Sequence, residues 1–204
     1  QFGCPTSSIA LAEVITQLIA KDAEWLKAHT GIYHVTNRGK ASWATFAAEI
    51  MVRSDLSCQI NPIPSEEYPT PAKRPKNSVL DAGKIERTLG VKMRPWEEEL
   101  HSIIQLQQQL MLDKVKSIAV EAGKAIMHIY NTMPDDIGVQ KKSDNSPLTK
   151  ADLASNAVIV DGLEKHFPDI PIISEENKNK SYDKRRHWNT VWIVDPLDGT
   201  KEFI

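Results

Sequence analysis

The chain has 204 residues, 41% hydrophobic and 25% charged, which is enough to bury one large core or two small ones. Its net charge of −2 is evenly spread, with 12 basic and 12 acidic residues in 1–110 and 13 and 15 in 111–204, so nothing argues for nucleic-acid or membrane affinity. Two cysteines, Cys4 and Cys58, make no disulfide framework, and no signal-peptide pattern or bilayer-length apolar run is present, so a reducing cytoplasm is the default expectation.

The opening run Gln1-Phe2-Gly3-Cys4-Pro5-Thr6 lacks a methionine and reads as a loop inside a larger fold. Over residues 7–28 apolar residues recur at helical spacing (Ile9, Leu11, Val14, Ile15, Leu18, Ile19), with Ser7 or Ser8 as the cap. Residues 31–35 read as a strand. His34 within it reads as an ordinary strand side chain, because no His or Cys partner stands at metal spacing. Ser42 caps a second helix to about residue 52, with Trp43, Phe46, Ala47 and Ile50 on one face. Prolines 62, 64, 69, 71 and 75 mark an extended, irregular stretch. Residues 78–81 predict a short strand, and 82–89 a helix stopped by Gly90. This half holds no nucleophile-base pair, metal cluster or glycine-rich phosphate loop; by physics alone it is part of an α/β domain.

Pro95 suits the first turn of a helix, and neither Pro nor Gly interrupts 96–122. Residues 105–110 are polar enough to bridge solvent. From Met111 the chain opens a second amphipathic pattern, Val115, Ile118, Ala119, Ala122, Ile126 and Ile129. Met127 and His128 read as packing or surface residues. Residues 138–142 suggest a strand, and 151–166 a helix whose apolar positions are Leu153, Ala157, Val158, Val160 and Leu163. The basic stretch 177–186 is either a mobile charged surface or a lid facing a substrate.

Acids gather where apolar runs end. Residues 191–194 predict a buried strand stopping at Asp195, after which Pro196 ends it and Gly199 permits a tight turn. Asp195 and Asp198 can converge there on a hard cation such as Mg²⁺, with the Leu197 carbonyl as a further oxygen ligand. The Thr200 hydroxyl can orient a water, and the amides after Gly199 can face a phosphate if a helix starts there. A second strand, 170–173, runs into Ser174-Glu175-Glu176. A third acid, Asp152, stands where a helix begins. The plain alternatives remain open: Asp-Pro and Asp-Gly also mark surface turns, and Asp152 also reads as a first-turn helix acid.

Asp144-Asn145-Ser146-Pro147-Leu148-Thr149 with Ala151-Asp152, Ile173-Ser174-Glu175-Glu176, and Trp192 through Thr200 followed by Lys201-Glu202-Phe203-Ile204 together resemble the inositol-monophosphatase superfamily. The Lys-Glu-Phe after Gly-Thr favours its 3'(2'),5'-bisphosphate nucleotidase branch, over 111–204. The resemblance implies Mg²⁺ (two or three ions in a full family site) held by Glu175, Asp195, the Leu197 carbonyl and Asp198. It further implies that Glu175 and Thr200 position the attacking water, that Asp152 joins the same network, and that the Gly199 and Thr200 amides hold phosphate. Lys142 corresponds to a family lysine near the metal site or is simply a solvated base. The implied substrate is the small molecule adenosine 3',5'-bisphosphate. Because the resemblance stops near Ile204, where a new strand is expected, little or no turnover is expected of this chain alone.

Residues 1–108 resemble the C-terminal part of dTDP-4-dehydrorhamnose reductase, an extended short-chain dehydrogenase. The carrying blocks are Gln1 to Thr6, Gly31-Ile32-Tyr33-His34-Val35 with Ser42-Trp43, Tyr68-Pro69-Thr70-Pro71-Ala72-Lys73-Arg74-Pro75 into Asn77-Ser78-Val79-Leu80-Asp81, and Trp96-Glu97-Glu98-Glu99-Leu100. Such enzymes bind NAD(P)H through a glycine-rich strand-turn-helix and use a Tyr-x-x-x-Lys pair; neither motif is in this sequence. The expected fold class is therefore α/β and α+β. It combines the C-terminal part of a reductase fold (1–108) with the N-terminal half of an inositol-monophosphatase-like layered αβ fold (109–204), joined by a helix running from one into the other. Three readings follow: a Mg²⁺-dependent bisphosphate nucleotidase segment, a reductase segment needing a separate cofactor domain, or a non-catalytic fusion.

Overall fold

A computed structural model describes residues 1–72, 74–132, 138–141, 147–178 and 180–203, with the chain divided into two compact units, Gln1–Gln108 and Gln109–Ile204. Asp144-Asn145-Ser146, Lys142 and Ile204, all named above, lie outside the described residues.

In the first unit, side-chain caps open the helices at Ser8, Ala23 and Trp43. The Ser7 hydroxyl accepts the Ala10 amide at 2.8 Å and opens α1 (Ser8–Ile19). The Asp22 carboxylate takes the Trp25 amide at 2.7 Å and opens α2 (Ala23–Ala28). The single helix expected over 7–28 is thus two, because Asp22 offers the chain a fresh start. Ser42 caps α3 (Trp43–Arg53) through the Thr45 amide, and α4 (Gly83–Leu89) ends at Gly90.

β1 (Phe2–Gly3) pairs antiparallel with β2 (Ala41–Ser42), Phe2 opposite Ser42. Residues 31–35 and 78–81 do not form the strands expected of them. Tyr33 and Val35 instead pack by their side chains onto the core, and the second segment meets Phe2 through the Ser78 amide at 2.8 Å and a bridge at Asn77. Apolar content makes a strand only where a neighbouring backbone offers a ladder. The core is Ala10 and Val14 of α1, Ala82, Ile85 of α4, and Met93, flanked by Leu18 and Leu89. Ile9, Leu11, Ile15 and Ile19, read as part of the helix face, are exposed, as is Trp43 of α3.

Buried polar groups brace this unit. Asn37, 1% exposed, accepts the Ser7 amide at 3.1 Å and donates to the Arg94 carbonyl at 3.2 Å. Ser7 Oγ donates to the buried Glu99 at 2.6 Å, and the Arg94 guanidinium sits 2.9 Å from the other Glu99 oxygen. Arg38 makes a two-pronged pair with Glu86, at 2.9 and 2.8 Å, and the Met93 amide donates to the same carboxylate. Arg38 holds the Glu86 carboxyl below its ordinary value, and the Met93 amide adds to the effect.

α5 spans Trp96–Thr132, with Glu97, Glu98 and Glu99 in its first turn, where the helix dipole favours acids. Its residues from 109 onward belong to the second unit. There Ala122 is buried, while Val115, Ile118, Ile126 and Ile129 are half-buried, close to the expected face; Ala119 is exposed. β3 (Gln140–Lys141) and β4 (Pro147–Leu148) form a short antiparallel pair. α6 (Lys150–His166) lies against α5 at Gly162, where a Cβ would come within 2.8 Å of Ile118. β5 (Ile172–Ser174) and β6 (Trp192–Val194) pair in parallel, Ile172 opposite Trp192 and Ser174 opposite Val194. α7 (Tyr182–Arg185) lies within the basic stretch, and α8 (Thr200–Phe203) follows the second acidic turn.

α6 buries polar residues beside apolar ones. Its buried residues are Ala151, Asp152, Ser155, Asn156 and Leu163, whereas Leu153 is 45% exposed and Ala157 is exposed. The first two turns bury a polar face because the groups opposite them are carbonyls and side-chain amides.

Candidate metal and phosphate site

The site begins with chain direction. Because β5 and β6 run parallel and in register, their C-terminal ends lie side by side, with Glu175 and Glu176 after one and Asp195 after the other. The Glu175 amide donates to the Val194 carbonyl at 3.1 Å, extending the pairing by one residue. Pro196 then breaks the second strand, and Gly199 turns the chain with a φ of 78° before α8 begins.

α6 supplies the other wall. Thr149 caps it, and Asp152 closes a capping box by accepting the Thr149 amide at 2.8 Å and the Thr149 hydroxyl at 2.6 Å on one oxygen. The other Asp152 oxygen accepts the Thr200 hydroxyl at 3.0 Å, and that hydroxyl also lies 3.1 Å from the Leu197 carbonyl. Asp152, 1% exposed, thus both starts the helix and reaches the far turn. One turn later Ser155 Oγ donates to the Pro196 carbonyl at 2.6 Å. Asn156 accepts from Ser174 Oγ at 2.6 Å and donates to Asn177 at 2.9 Å, so it holds both sides of Glu175 and Glu176.

Electrostatically the acids feel one another. The Asp195 carboxyl is pushed above its ordinary value, first by partial burial, then by the charges of Glu175 and Asp198, while the Leu197 amide acts against the shift. The Asp195 side chain still reaches solvent, so the repulsion, which acts in the same direction, is the firmer cause. Asp195 and Glu175 also share a hydrogen bond that stabilises the protonated form. All the donors here are oxygens, and repelling carboxylates suit a hard divalent cation, so the donor chemistry fits Mg²⁺. Among the described residues, no three His, Cys, Asp or Glu side chains are drawn together as a ligand set.

Of the residues singled out from sequence, Glu175, Asp195, Leu197, Asp198, Gly199 and Thr200 fall on these two adjoining turns, and Asp152 reaches them through Thr200. Sequence reading missed Ser155, Asn156, Ser174 and Asn177. The signal available was a polar stripe: Asp152, Ser155 and Asn156 share one helix face at spacings of three and four.

The architecture is mixed α and β, with acids delivered by adjacent parallel strands and braced by a capped helix. The chain belongs, over residues 1–109, to the family described as the RmlD substrate binding domain, and residues 107–204 match the inositol monophosphatase family. A curated 3'(2'),5'-bisphosphate nucleotidase CysQ from Shigella flexneri is 54% identical over 95 residues, covering 46% of this chain and 37% of the relative. A dTDP-4-dehydrorhamnose reductase from Sinorhizobium fredii is 36% identical over 112 residues, covering 51% of this chain and 37% of the relative. The crystal structure of a dTDP-4-dehydrorhamnose reductase from Clostridium acetobutylicum aligns at 39% identity with a TM-score of 0.47, over 53% of this chain and 36% of that one. The chain therefore spans about a third of the length of these relatives. No helix among the described residues is long and apolar enough to cross a membrane.

Proposed function

We propose that residues 109–204 carry a Mg²⁺-dependent phosphomonoesterase site of the 3'(2'),5'-bisphosphate nucleotidase type, acting on a nucleoside bisphosphate such as adenosine 3',5'-bisphosphate. The observation that carries this reading is the placing of Glu175 and Asp195 at the adjoining C-terminal ends of two parallel strands, with Asp198 on the turn that follows. The similarity to curated bisphosphate nucleotidases supports it.

Glu175, Asp195, the Leu197 carbonyl and Asp198 would hold the ion. When bound, Mg²⁺ offsets phosphate charge and lowers the pKa of a coordinated water. Glu175 and the Thr200 hydroxyl orient the attacking water, and Asp152 fixes the Thr200 rotamer. Both Asp152 oxygens already accept hydrogen bonds, which fits a positioning role better than ligation. The Gly199 and Thr200 amides would donate to the phosphate. Residues 1–108 we read as the substrate-side part of a sugar-nucleotide reductase, which would need an NAD(P)H-binding domain to work.

The test is binding of Mn²⁺, which takes the same oxygen ligands and reports its free fraction by its EPR signal. Saturable binding that Asp195→Asn abolishes, with adenosine 3',5'-bisphosphate tightening it, is the expected result. Failure to bind at millimolar metal overturns the reading. Phosphate release measured alongside tells whether a chain of this length turns over.

A further inference from the structure

Four polar side chains of the second unit, Ser155, Asn156, Ser174 and Asn177, are joined to the acidic turns yet have no part in the chemistry above. Three of them are buried: Ser155 is 0%, Ser174 1% and Asn156 9% exposed. Burying hydroxyls and amides is costly unless each finds a partner, and here each does. The partners are not random. Ser155 holds Pro196, between Asp195 and Leu197, while Asn156 holds Ser174 and Asn177, which bracket Glu175 and Glu176.

Peptide geometry gives the first bond its meaning. The Pro196 carbonyl and the Leu197 N–H belong to one planar peptide unit and point in opposite directions. Tying the carbonyl to Ser155 at 2.6 Å therefore aims the Leu197 N–H away from α6, toward the Asp195 carboxylate that it stabilises. The same plane sets the start of Leu197, whose own carbonyl accepts the Thr200 hydroxyl. A single hydroxyl one helical turn beyond Asp152 thus orients a ligand carboxylate and a ligand carbonyl together.

We infer that Ser155 is a positioning residue for the metal site, with Asn156 its counterpart for the Glu175 turn: adjacent residues of α6 that set the separation of the two acidic turns. This rests on the reading of residues 109–204 as a metal-dependent phosphatase site. It goes beyond that reading by assigning the pre-organisation of the site to neutral side chains that never touch metal or phosphate. Outer groups of this kind typically change metal affinity by roughly 10-fold to 100-fold when removed.

The experiment is Mn²⁺ titration of the full chain, followed by EPR, for wild type, Ser155→Ala, Ser155→Cys and Leu163→Ala. Ser155→Cys keeps the buried volume but offers only a weak donor. Leu163, buried on the same helix and remote in sequence from the turns, controls for lost stability. Melting curves in chelator are recorded in parallel. The expected result is Mn²⁺ affinity about tenfold or more weaker in both Ser155 variants, while Leu163→Ala melts earlier with affinity unchanged. If Ser155→Ala does not fold, Ser155→Cys alone decides. Wild-type affinity in a folded Ser155 variant, or an equal loss in Leu163→Ala, overturns the inference and leaves the site reading standing. No binding by wild type overturns both.

Discussion

Thr200 Oγ1 lies 3.0 Å from Asp152 Oδ1, across 48 residues of sequence, and 3.1 Å from the Leu197 carbonyl. A hydroxyl has one hydrogen, so these acceptors share it, and the charged one is the stronger. Asp152 thereby serves the helix and the turn with the same carboxylate. Removing it in Asp152→Ala strands the Thr149 amide and the Thr149 hydroxyl and leaves the Thr200 hydroxyl only the Leu197 carbonyl. We predict a local loss of about 1–3 kcal/mol, seen as faster amide exchange in the first turn of α6. Unchanged protection there would refute the shared role.

Gly199 adopts a φ of 78°, which other residues reach only with strain. Gly199→Ala is predicted to cost about 1–2 kcal/mol and to weaken Mn²⁺ binding, since the turn carries Thr200 into place. An alanine variant matching wild type in both melting and metal affinity would show that the turn relaxes freely.

Asp195 gives a prediction in pH. Its folded value lies above its unfolded one, so the folded chain holds that proton more tightly. The associated stability is full below the ordinary carboxylate value of 3.8 and is lost as pH rises through the folded value. Without metal, Asp195→Asn should therefore melt higher than wild type near about pH 7, with the difference shrinking toward about pH 3. Saturating Mg²⁺ should reverse the order at neutral pH. A variant that melts lower than wild type in chelator would contradict the repulsion described.

Glu86 behaves oppositely. Arg38 and the Met93 amide lower its value, so its contribution is present above the ordinary 4.5 and disappears as pH falls through the folded value. Glu86→Gln should lower the melting temperature of the first unit at neutral pH and match wild type in acid. A pH-independent difference would mean that shape rather than charge matters there.

What could be read from sequence was what is local. Ser7, Ser42, Gly90 and Pro95 mark helix ends through bonds to residues a few positions away, and each stands where a helix starts or stops. Residues 31–35 and 78–81 have strand-like composition, but a ladder depends on a distant neighbour that composition does not reveal. α6 shows a related effect. Its apolar positions could be read, but the partners that select Asp152, Ser155 and Asn156 for burial stand 18 to 48 positions downstream. The acids at the two strand ends were legible because motif and strand end coincide; the Ser155 and Asn156 side chains bonded to those turns were not, since serine and asparagine are unremarkable in a helix.

The parallel register of β5 and β6 has a consequence for engineering. Antiparallel strands of three residues would set Glu175 and Asp195 at opposite ends, about 10 Å apart. Pairing in the same direction removes that distance whatever the connection between them contains. The crossover beyond Asn177 is thus a place to vary length: a short Gly-Ser insertion after Asn189 should leave Mn²⁺ affinity intact, whereas one residue added within Ile172–Ser174 should abolish it by shifting Glu175 out of step.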